Sequence, residues 1–519
     1  MPDDAGFTVQ EAKRRLLVDD SNLPSTARDV SVLLAEAGGY FERGGCPVAL
    51  VGDKQTGALF ARPLTKETVV RVVHGLAKPF ANRADRAGRI EERLVTLPDR
   101  VAALYLDMAG AWELPPLHGI AYGPLLGAGG KVHAHEGYHP ETGFWCAGGP
   151  DLGKFLPDRP TRGNAKAALA KLRRVFATFP FADSPRTPAA GGLDMVDLRA
   201  PPGADESGLL VGLLTAICRP SLGLAPGLLI RAPNISGSGT GKGLLAKAVS
   251  AIAFGMQPHA ITGGTSLKEL EARLSSALME AAPAVFLDNL NGVSLQSDLM
   301  ASVLTERLAA VRILGLSKMV RLNPSCFLVV TGNAITLSED LVRRFIVVEL
   351  DARTEDPEAR PFKTDLLAEV TERRAELLGA ALTIWRWAEM HRRSIKSGVA
   401  LGGYQQWCEW VRDALLALGA GDPAERVAAV KAADSKRQDI ASLFEAWNEY
   451  HGDRPVKVAQ LHAEVLSIID PHGRGRQFVA AELTKLEGTR LAGLTLTRSK
   501  PSGRWSAATY AVTAPLPLG

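Results

Sequence analysis

The sequence predicts an α/β protein built around a nucleotide domain with a parallel sheet. A loop rich in glycine and serine carries Lys242 and lies between an apolar, strand-like segment and a helix rich in alanine and leucine. Helical periodicity over residues 266–280 fits the alternation of strands and helices in such a domain. Four continuously apolar segments have the pattern of strands buried in a parallel sheet, at residues 228–231, 284–288, 327–331 and 345–350.

Length and composition bound the rest of the organisation. At 519 residues the chain is too long for one hydrophobic core, so about three to five domains are expected. The formal net charge of +4, from 60 basic and 56 acidic side chains, neither requires nor excludes a polyanionic partner. Five scattered cysteines without a C-x-x-C pair indicate a reducing compartment, and the most apolar run, residues 209–218, is about half as long as a membrane span. We therefore expect a cytoplasmic protein without a membrane partner.

The chain divides into five segments of different pattern. An α+β region, whose role the sequence does not indicate, precedes a region rich in glycine and proline. The second region contains a hairpin through residues 138–143 and ends in a linker over residues 183–206. The nucleotide domain, a helical segment and a winged helix follow. The five predicted bounds are 1–105, 106–205, 206–395, 396–452 and 453–519.

The loop after the first apolar strand predicts a phosphate site for ATP. Small residues let backbone N–H groups curl around a polyphosphate, the helix N-terminus adds its positive dipole, and the Lys242 ammonium reaches the terminal phosphates. Two positions depart from the pattern G-x-x-x-x-G-K-[ST], since Ser236 replaces the first glycine and Gly243 replaces the hydroxyl that binds Mg²⁺. The residues predicted to contact the nucleotide are Ser236, Gly237, Ser238, Gly239, Thr240, Gly241, Lys242, Gly243 and Leu244.

Polar residues at the ends of the next apolar strands predict the remaining catalytic groups. Asp288 closes the strand at 284–288, where its carboxylate would hold Mg²⁺. Asn289 follows, at the place where many such ATPases carry a second acid, so hydrolysis would need another base. Asn333 comes just after the strand at 327–331, which would put its amide beside the γ-phosphate and the attacking water.

Two adjacent arginines, Arg343 and Arg344, precede the last apolar strand. Guanidinium groups suit a transition state whose negative charge is spread over phosphoryl oxygens. In ring-shaped ATPases such arginines enter the site of the neighbouring subunit. The pair therefore predicts a homo-oligomer in which the site is shared between two copies of the chain.

Two further segments are candidates for contact with DNA. Alternating runs over residues 311–322 predict a hairpin with Lys318 near its tip, which would either project into a ring channel or be an ordinary core hairpin with a solvated lysine. Residues 453–519 read as two helices followed by two strands, and from residue 471 onward they carry seven basic and two acidic side chains. Either DNA phosphates or a docked protein would suit this tail, in which Arg498, Lys500 and Arg504 are the candidate contacts.

Taken together, residues 236–242, 286–291, 331–333 and 340–345 resemble the nucleotide motifs of the superfamily 3 branch of AAA+ ATPases. The closer resemblance, over roughly residues 110–519, is to the helicase part of primase-helicases from phages, plasmids and integrative elements. It implies an ATP- and Mg²⁺-dependent hexameric ring that moves along single-stranded or forked DNA in replication of a mobile genetic element. No primase motif is evident, so priming would belong to a separate primase or polymerase.

Two other functions remain open on the sequence. A DNA-recognition or replication-initiator assembly protein would bind ATP to close its ring and hydrolyse it slowly or not at all, which Gly243 and Asn289 would explain. A small-molecule kinase with the same phosphate loop is disfavoured by the paired arginines and the basic tail.

Overall fold

The computed structural model contains two compact units, Met1–Arg426 and Val427–Gly519. Their boundary falls inside the segment 396–452, which the sequence pattern treats as one helical segment. Each unit has its own core of buried apolar side chains. The structure describes residues 13–54, 56–84, 89–188, 193–233, 237–258, 260–262, 266–312, 319–360, 365–426, 435–499 and 507–514.

The domain predicted to bind nucleotide contains a five-stranded parallel sheet, as the apolar segments predict. Its strand order is β2-β3-β4-β1-β5, so that β1, which leads into the loop before Lys242, lies between β4 and β5. Strand β2 has only three residues and follows a stretch with proline and glycine, so its sequence carried no strand pattern. The strands are β1 (Gly227–Ala232), β2 (Ala260–Thr262), β3 (Ala284–Asp288), β4 (Phe327–Asn333) and β5 (Phe345–Glu349).

Helices surround this sheet and bury it. The apolar run at 209–218 belongs to the first of them, in which every residue from Asp205 to Cys218 is buried. In the part of the chain that the structure describes, no helix is long and apolar enough to cross a membrane. The principal helices are α1 (Ala204–Cys218), α2 (Lys242–Phe254), α3 (Leu267–Met279), α4 (Asp298–Thr305), α5 (Leu366–Glu372) and α6 (Arg374–Met390).

Shorter elements complete the domain. An antiparallel hairpin pairs Ala309–Arg312 with Met319–Leu322, and Ser294–Leu295 pairs in parallel with Thr336–Leu337. A short helix, Glu339–Val342, precedes β5. Beyond α6 the chain forms a continuous helical stretch, Gln405–Trp407, Cys408–Arg412 and Asp413–Ala417, the middle part of which is a π-helix. The tryptophans Trp385, Trp407 and Trp410 are buried.

The N-terminal region is α+β, as predicted, and has two three-stranded sheets. Thr65 caps the second helix by accepting a hydrogen bond from the Thr68 N–H at 3.2 Å. The strands are Arg14–Leu17, Tyr40–Arg43, Cys46–Gly52, Leu59–Pro63, Ala77–Ala84 and Ile90–Leu94, and the helices are Leu23–Ala37, Lys66–Leu76 and Asp99–Leu106.

Arg43 joins this region to the nucleotide domain. It is buried, and its guanidinium donates to the carbonyls of Leu278 and Met279 at the end of α3. It also donates to the carbonyls of Leu117 and His118, at 2.9 and 2.8 Å. Residues 13–105 and the sheet belong to the same compact unit. Arg43 stabilises the contact between them by satisfying backbone carbonyls of two other segments.

The region between these two parts contains the predicted hairpin, in which Gly137–His139 pairs antiparallel with Phe144–Cys146. The predicted linker over 183–206 is more ordered than its composition indicates. It includes an antiparallel pair of strands and the start of α1, where Glu206 forms a buried ion pair with Arg173. The other elements here are Gly119–Ala121, Leu125–Gly127, Lys131–His133, the helix Arg162–Phe176, Arg186–Pro188 and Asp194–Val196.

The C-terminal unit follows the order of elements that the sequence predicts for residues 453–519. Two helices precede a pair of antiparallel strands, and these strands lie in a four-stranded sheet over a core that includes Phe444 and Trp447. The helices are Ser435–His451, Ala463–Ile469 and Arg476–Lys485, and the strands are Val456–Lys457, Arg490–Leu491, Leu494–Ser499 and Thr509–Thr513.

Candidate functional site

The loop between β1 and α2 has a shape that only glycine permits at three positions. Gly239 and Gly241 have φ values of +67° and +93°, in the left-handed region that side chains with a Cβ seldom adopt. A Cβ on Gly237 would lie 2.0 Å from the Pro233 carbonyl oxygen and 2.7 Å from Asn333 Oδ1. The predicted contact Ser236 lies outside the described residues. The described loop is therefore a tight turn with little side-chain bulk, directly before the helix.

Lys242 is the first residue of α2 and folds over this loop. Its ammonium donates to the Gly237 carbonyl at 2.6 Å and to Thr240 Oγ1 at 3.2 Å. Partial burial lowers the pKa of Lys242, and the nearby Asp288 carboxylate opposes that shift. The lysine and the aspartate, which the sequence predicts to share one site, therefore lie near each other. Leu244 lies in the first turn of α2 and is exposed.

Asp288, at the end of β3, faces the start of α2. A Cβ on Gly243 would lie 3.5 Å from Asp288 Oδ1, which is an ordinary contact distance. The same oxygen accepts a hydrogen bond from Thr331 Oγ1 at 2.6 Å, and Thr331 is buried in β4. This hydroxyl fixes the rotamer of the carboxylate. Sequence reasoning missed Thr331, although a polar residue at the end of an apolar strand is a usable signal.

Three asparagines form a hydrogen-bonded chain beside Asp288. Asn289 has a φ of +61°, a conformation that asparagine tolerates better than most residues. The Asn291 side chain donates to Asn289 Oδ1 and accepts from the Asn333 N–H, both at 2.7 Å. Asn333 Oδ1 is buried, has no hydrogen-bond donor among the described residues and lies against Gly237. The Asn333 side chain therefore presents an unused acceptor at the loop before α2, and Asn291, which was not predicted as a site residue, holds the Asn333 backbone N–H.

A segment after β5 braces the outer side of the loop. Ser238 Oγ donates to Glu358 Oε1 at 3.0 Å, and the Glu358 side chain covers Gly239. The Arg360 guanidinium reaches the carbonyls of Thr240 and Thr178, both at 3.4 Å. Neither residue follows from the sequence, because their spacing from the loop exceeds a hundred residues and matches no local motif.

Arg343 and Arg344 have different surroundings. The side chain of Arg343 is 60% exposed and donates to Asp340 Oδ1 at 2.6 Å. The side chain of Arg344 is 14% exposed and donates to the same oxygen at 2.6 Å and to Thr305 Oγ1 at 3.0 Å. Hydrogen bonds from Arg343, together with the positive charge of both arginines, lower the pKa of Asp340. Arg344 is thus held within its own chain, whereas Arg343 faces solvent.

The candidate DNA contacts are only partly within the described residues. Lys318, Lys500 and Arg504 lie outside them. The strands that flank Lys318 form the predicted hairpin, with alternate residues such as Val311 and Val320 buried. Arg498 lies on Leu494–Ser499, is 30% exposed, and has its guanidinium 3.5 Å from Glu487 Oε2. Of the four predicted DNA contacts, the structure therefore describes one, Arg498.

Comparison with known proteins gives similar solved structures and no family. No family model matches the chain, and no curated protein does. The apo A form of the NrS-1 C-terminal region is 14% identical with a TM-score of 0.40, over 94% of this chain and 99% of that one. A structure described as the SCCmec type IV Cch active helicase is 12% identical with a TM-score of 0.29, over 92% of this chain and 97% of that one.

Proposed function

We propose that this protein is an ATP-dependent DNA helicase or translocase of the superfamily 3 type, which forms a ring and acts in the replication of a phage or another mobile genetic element. One observation carries the proposal: Lys242, Asp288 and Asn333 meet at the carboxyl ends of β1, β3 and β4. Ligands of open parallel sheets bind at this edge, and the three residue types match phosphate, metal and water.

The residues at this edge fit a nucleoside triphosphate with Mg²⁺. The glycines let the loop turn tightly in front of α2, so that its backbone N–H groups and the helix N-terminus would face the phosphates, and Lys242 adds a positive charge. Asp288 would hold the metal, with Thr331 keeping its carboxylate in one orientation. Bound Mg²⁺ supplies charge neutralisation at the phosphoryl oxygens. Asn333 would orient the attacking water through its side-chain oxygen, which has no donor among the described residues, and its NH₂ group would donate to the γ-phosphate.

A neighbouring subunit would complete the site. The exposed guanidinium of Arg343 would exchange its ion pair with Asp340 for the phosphates of an adjacent copy, while Arg344 and Asp340 fix the turn that carries it. A head-to-tail contact of this kind closes into a ring, for which we propose a hexamer. DNA would lie in the ring channel near Lys318 and on the C-terminal unit near Arg498, Lys500 and Arg504. We also propose a cytoplasmic location and a separate primase or polymerase as the priming partner.

The test is DNA-stimulated ATP hydrolysis by the full chain. We expect turnover that rises with forked or single-stranded DNA and falls at least about 100-fold in Lys242→Ala, because the ammonium contacts the transferred phosphoryl group. Lys247→Ala, on the same helix, is the matched control and should behave like the parent. Absence of turnover with forked DNA, or full activity in Lys242→Ala, would contradict the proposal.

A second candidate is an ATP-binding DNA-recognition or initiator protein with slow or no hydrolysis. The observation in its favour is Asn289, whose amide is engaged with Asn291 and cannot accept a proton from water. Tight ATP binding and ATP-dependent assembly on DNA, with no turnover in either the parent or Asn289→Asp, would favour this function over the helicase.

A further inference from the structure

One of the two sheets in the N-terminal region, formed by Arg14–Leu17, Ala77–Ala84 and Ile90–Leu94, ends in a strand with an open edge. Ile90–Leu94 pairs antiparallel with Ala77–Ala84, and in the described part of the chain no strand pairs with its other side. The Val95 N–H donates to the Pro79 carbonyl at 3.0 Å, toward the sheet. Because backbone polar groups alternate in direction along a strand, those of Ile90, Glu92 and Leu94 point away from the sheet. This edge is therefore a template for another strand.

The same strand also exposes apolar side chains. Ile90 and Leu94 are 76% and 74% exposed, and Leu17 on the first strand of the sheet is 41% exposed. All three lie on one face of the sheet, because the strand register puts Leu17 and Leu94 on either side of Phe80, while the buried residues Leu16, Ala77 and Ala81 lie on the other face. An apolar row on an exposed sheet face marks an interaction surface.

We propose that the partner of this edge is a second copy of the same chain, paired antiparallel about a two-fold axis at Glu92. The sequence Ile-Glu-Glu-Arg-Leu is self-complementary in that register. Ile90 of one copy lies opposite Leu94 of the other on the apolar face, and Glu91 lies opposite Arg93 on the other face. The backbone groups of Ile90, Glu92 and Leu94 then pair with those of the second copy.

The charges on the edge suit this strand. Within one copy Arg93 already lies 3.4 Å from Glu91, and in the antiparallel register each of the two side chains also meets its opposite charge in the second copy, which an unrelated strand would not offer at both positions. The one like-charge pair, between the two Glu92 residues, is moderated within each copy. Arg15 forms an ion pair with Glu92 and lies 4.2 Å from the centroid of the Phe80 ring.

The contact is isologous, so it joins chains two by two. A ring of ATPase domains instead uses a head-to-tail contact, which places Arg343 of one copy near the site of the next. The two contacts use different surfaces, so the edge pairing stands whether or not the chain hydrolyses ATP. If the chain also forms rings, the antiparallel pairing of these edge strands would join one chain to another. The N-terminal region would then take part in assembly.

The test is disulfide trapping in the full chain without nucleotide. Antiparallel pairing about Glu92 brings the two residue-92 Cα atoms to about 5.5 Å, within reach of a disulfide. We expect Glu92→Cys to give a covalent dimer on mild oxidation. Arg83→Cys, an exposed position on the neighbouring strand of the same sheet, is the matched control and should remain monomeric, as should the parent chain.

Charge exchange separates pairing from folding. Arg93→Glu in the Glu92→Cys chain should lower the trapped fraction about tenfold, because Glu91 then meets a like charge in the second copy. The double exchange Glu91→Arg/Arg93→Glu should restore it, with some loss because Arg83 neighbours residue 91. Equal trapping in all three chains, no trapping of Glu92→Cys, or a double exchange as weak as the single one would overturn the proposal.

Discussion

Gly237 lies in the loop between β1 and α2, Gly243 lies in the first turn of α2, and the space around them differs. A Cβ at 237 would meet backbone and the Asn333 amide at distances that no real Cβ shows, whereas at 243 it would make ordinary contacts with Asp288. Glycine is therefore required by shape at 237. At 243 it is not, and it leaves space beside Asp288, the predicted metal ligand.

We expect Gly243→Ser to be tolerated and to strengthen metal binding. The serine hydroxyl would enter the place where most phosphate loops carry one, so half-saturating Mg²⁺ for nucleotide binding should fall several-fold. Titration of a fluorescent nucleotide at varied Mg²⁺ measures this. Gly237→Ser is the contrast: nucleotide binding should be lost, because the added atoms collide with Pro233 and Asn333. Equal behaviour of the two variants would contradict the geometry.

Substitutions of the adjacent arginines Arg343 and Arg344 should likewise have different effects, in this case on stability. Arg344→Ala removes a mostly buried, hydrogen-bonded guanidinium and should lower the free energy of unfolding by about 1–3 kcal/mol. Arg343→Ala should change it by less than about 0.5 kcal/mol, since the side chain is exposed. Chemical denaturation of both variants measures the difference.

Activity of mixed subunits tests the role of Arg343 in the neighbouring site. Arg343→Ala subunits lack the finger but keep the loop, and Lys242→Ala subunits have the reverse defect. If the arginine acts between subunits, mixing the two inactive chains should recover activity that neither has alone. Activity that stays at the level of the separate variants at every mixing ratio would count against it.

Ion pairs connect α1 and β5 to the last residue of the first unit. Asp205 is fully buried, its Oδ1 accepts from the Glu349 N–H and from Arg426 Nε, both at 2.9 Å, and Arg426 also lies 3.3 Å from Glu349. Burial, the largest influence, raises the pKa of Asp205 to about 6, while the bond from Arg426 opposes it. The start of α1, predicted as linker, is thus held to the sheet through charge.

We expect Arg426→Met to destabilise the first unit by roughly 3–5 kcal/mol at pH 8, because it leaves the Asp205 carboxylate buried without its cation. A carboxyl whose pKa is higher in the folded chain than in the unfolded one takes up a proton on folding. Its contribution to stability therefore falls as pH rises from about 4 to above 6, and the higher pKa in the variant extends this window upward.

The deficit of Arg426→Met should consequently shrink between pH 8 and pH 5. Denaturant titrations of parent and variant at both pH values measure this. Arg199→Met, which removes an exposed arginine paired with Asp197, is the control and should show almost no deficit at either pH. A deficit that grows toward pH 5 would contradict the assignment to Asp205.

Across the whole chain, the two compact units have separate hydrophobic cores. Trp407 is buried in the first, where its indole N–H donates to Thr215 Oγ1 at 2.8 Å. Trp447 is buried in the second among Phe444, Val465 and other apolar side chains. Because cooperativity follows the core, each unit should unfold as a unit of its own.

We therefore expect two thermal transitions in calorimetry. Trp447→Ala should lower only the transition of the C-terminal unit and Trp407→Ala only the other, each at a cost of about 3–5 kcal/mol for the lost packing. The two variants control for each other. One common transition that both substitutions lower would show that the units unfold together.

The local features of this protein followed from its sequence. Apolar runs predicted four of the five parallel strands, and the Gly-Ser-Lys loop predicted a tight turn before a helix, because each depends on residues adjacent in the chain. The order of elements in the C-terminal unit followed for the same reason.

Tertiary structure decided the features that depend on distant segments. It set Thr331 against Asp288, Asn291 between two other asparagines, Glu358 over the loop and Arg43 at the end of α3. It also exposed Arg343, held Arg344 by hydrogen bonds within its own chain, and left the outer edge of Ile90–Leu94 unpaired among the residues that the structure describes. The physical reason is the same for all of them: burial and hydrogen-bond partners are properties of packing between segments, which spacing along one chain does not contain.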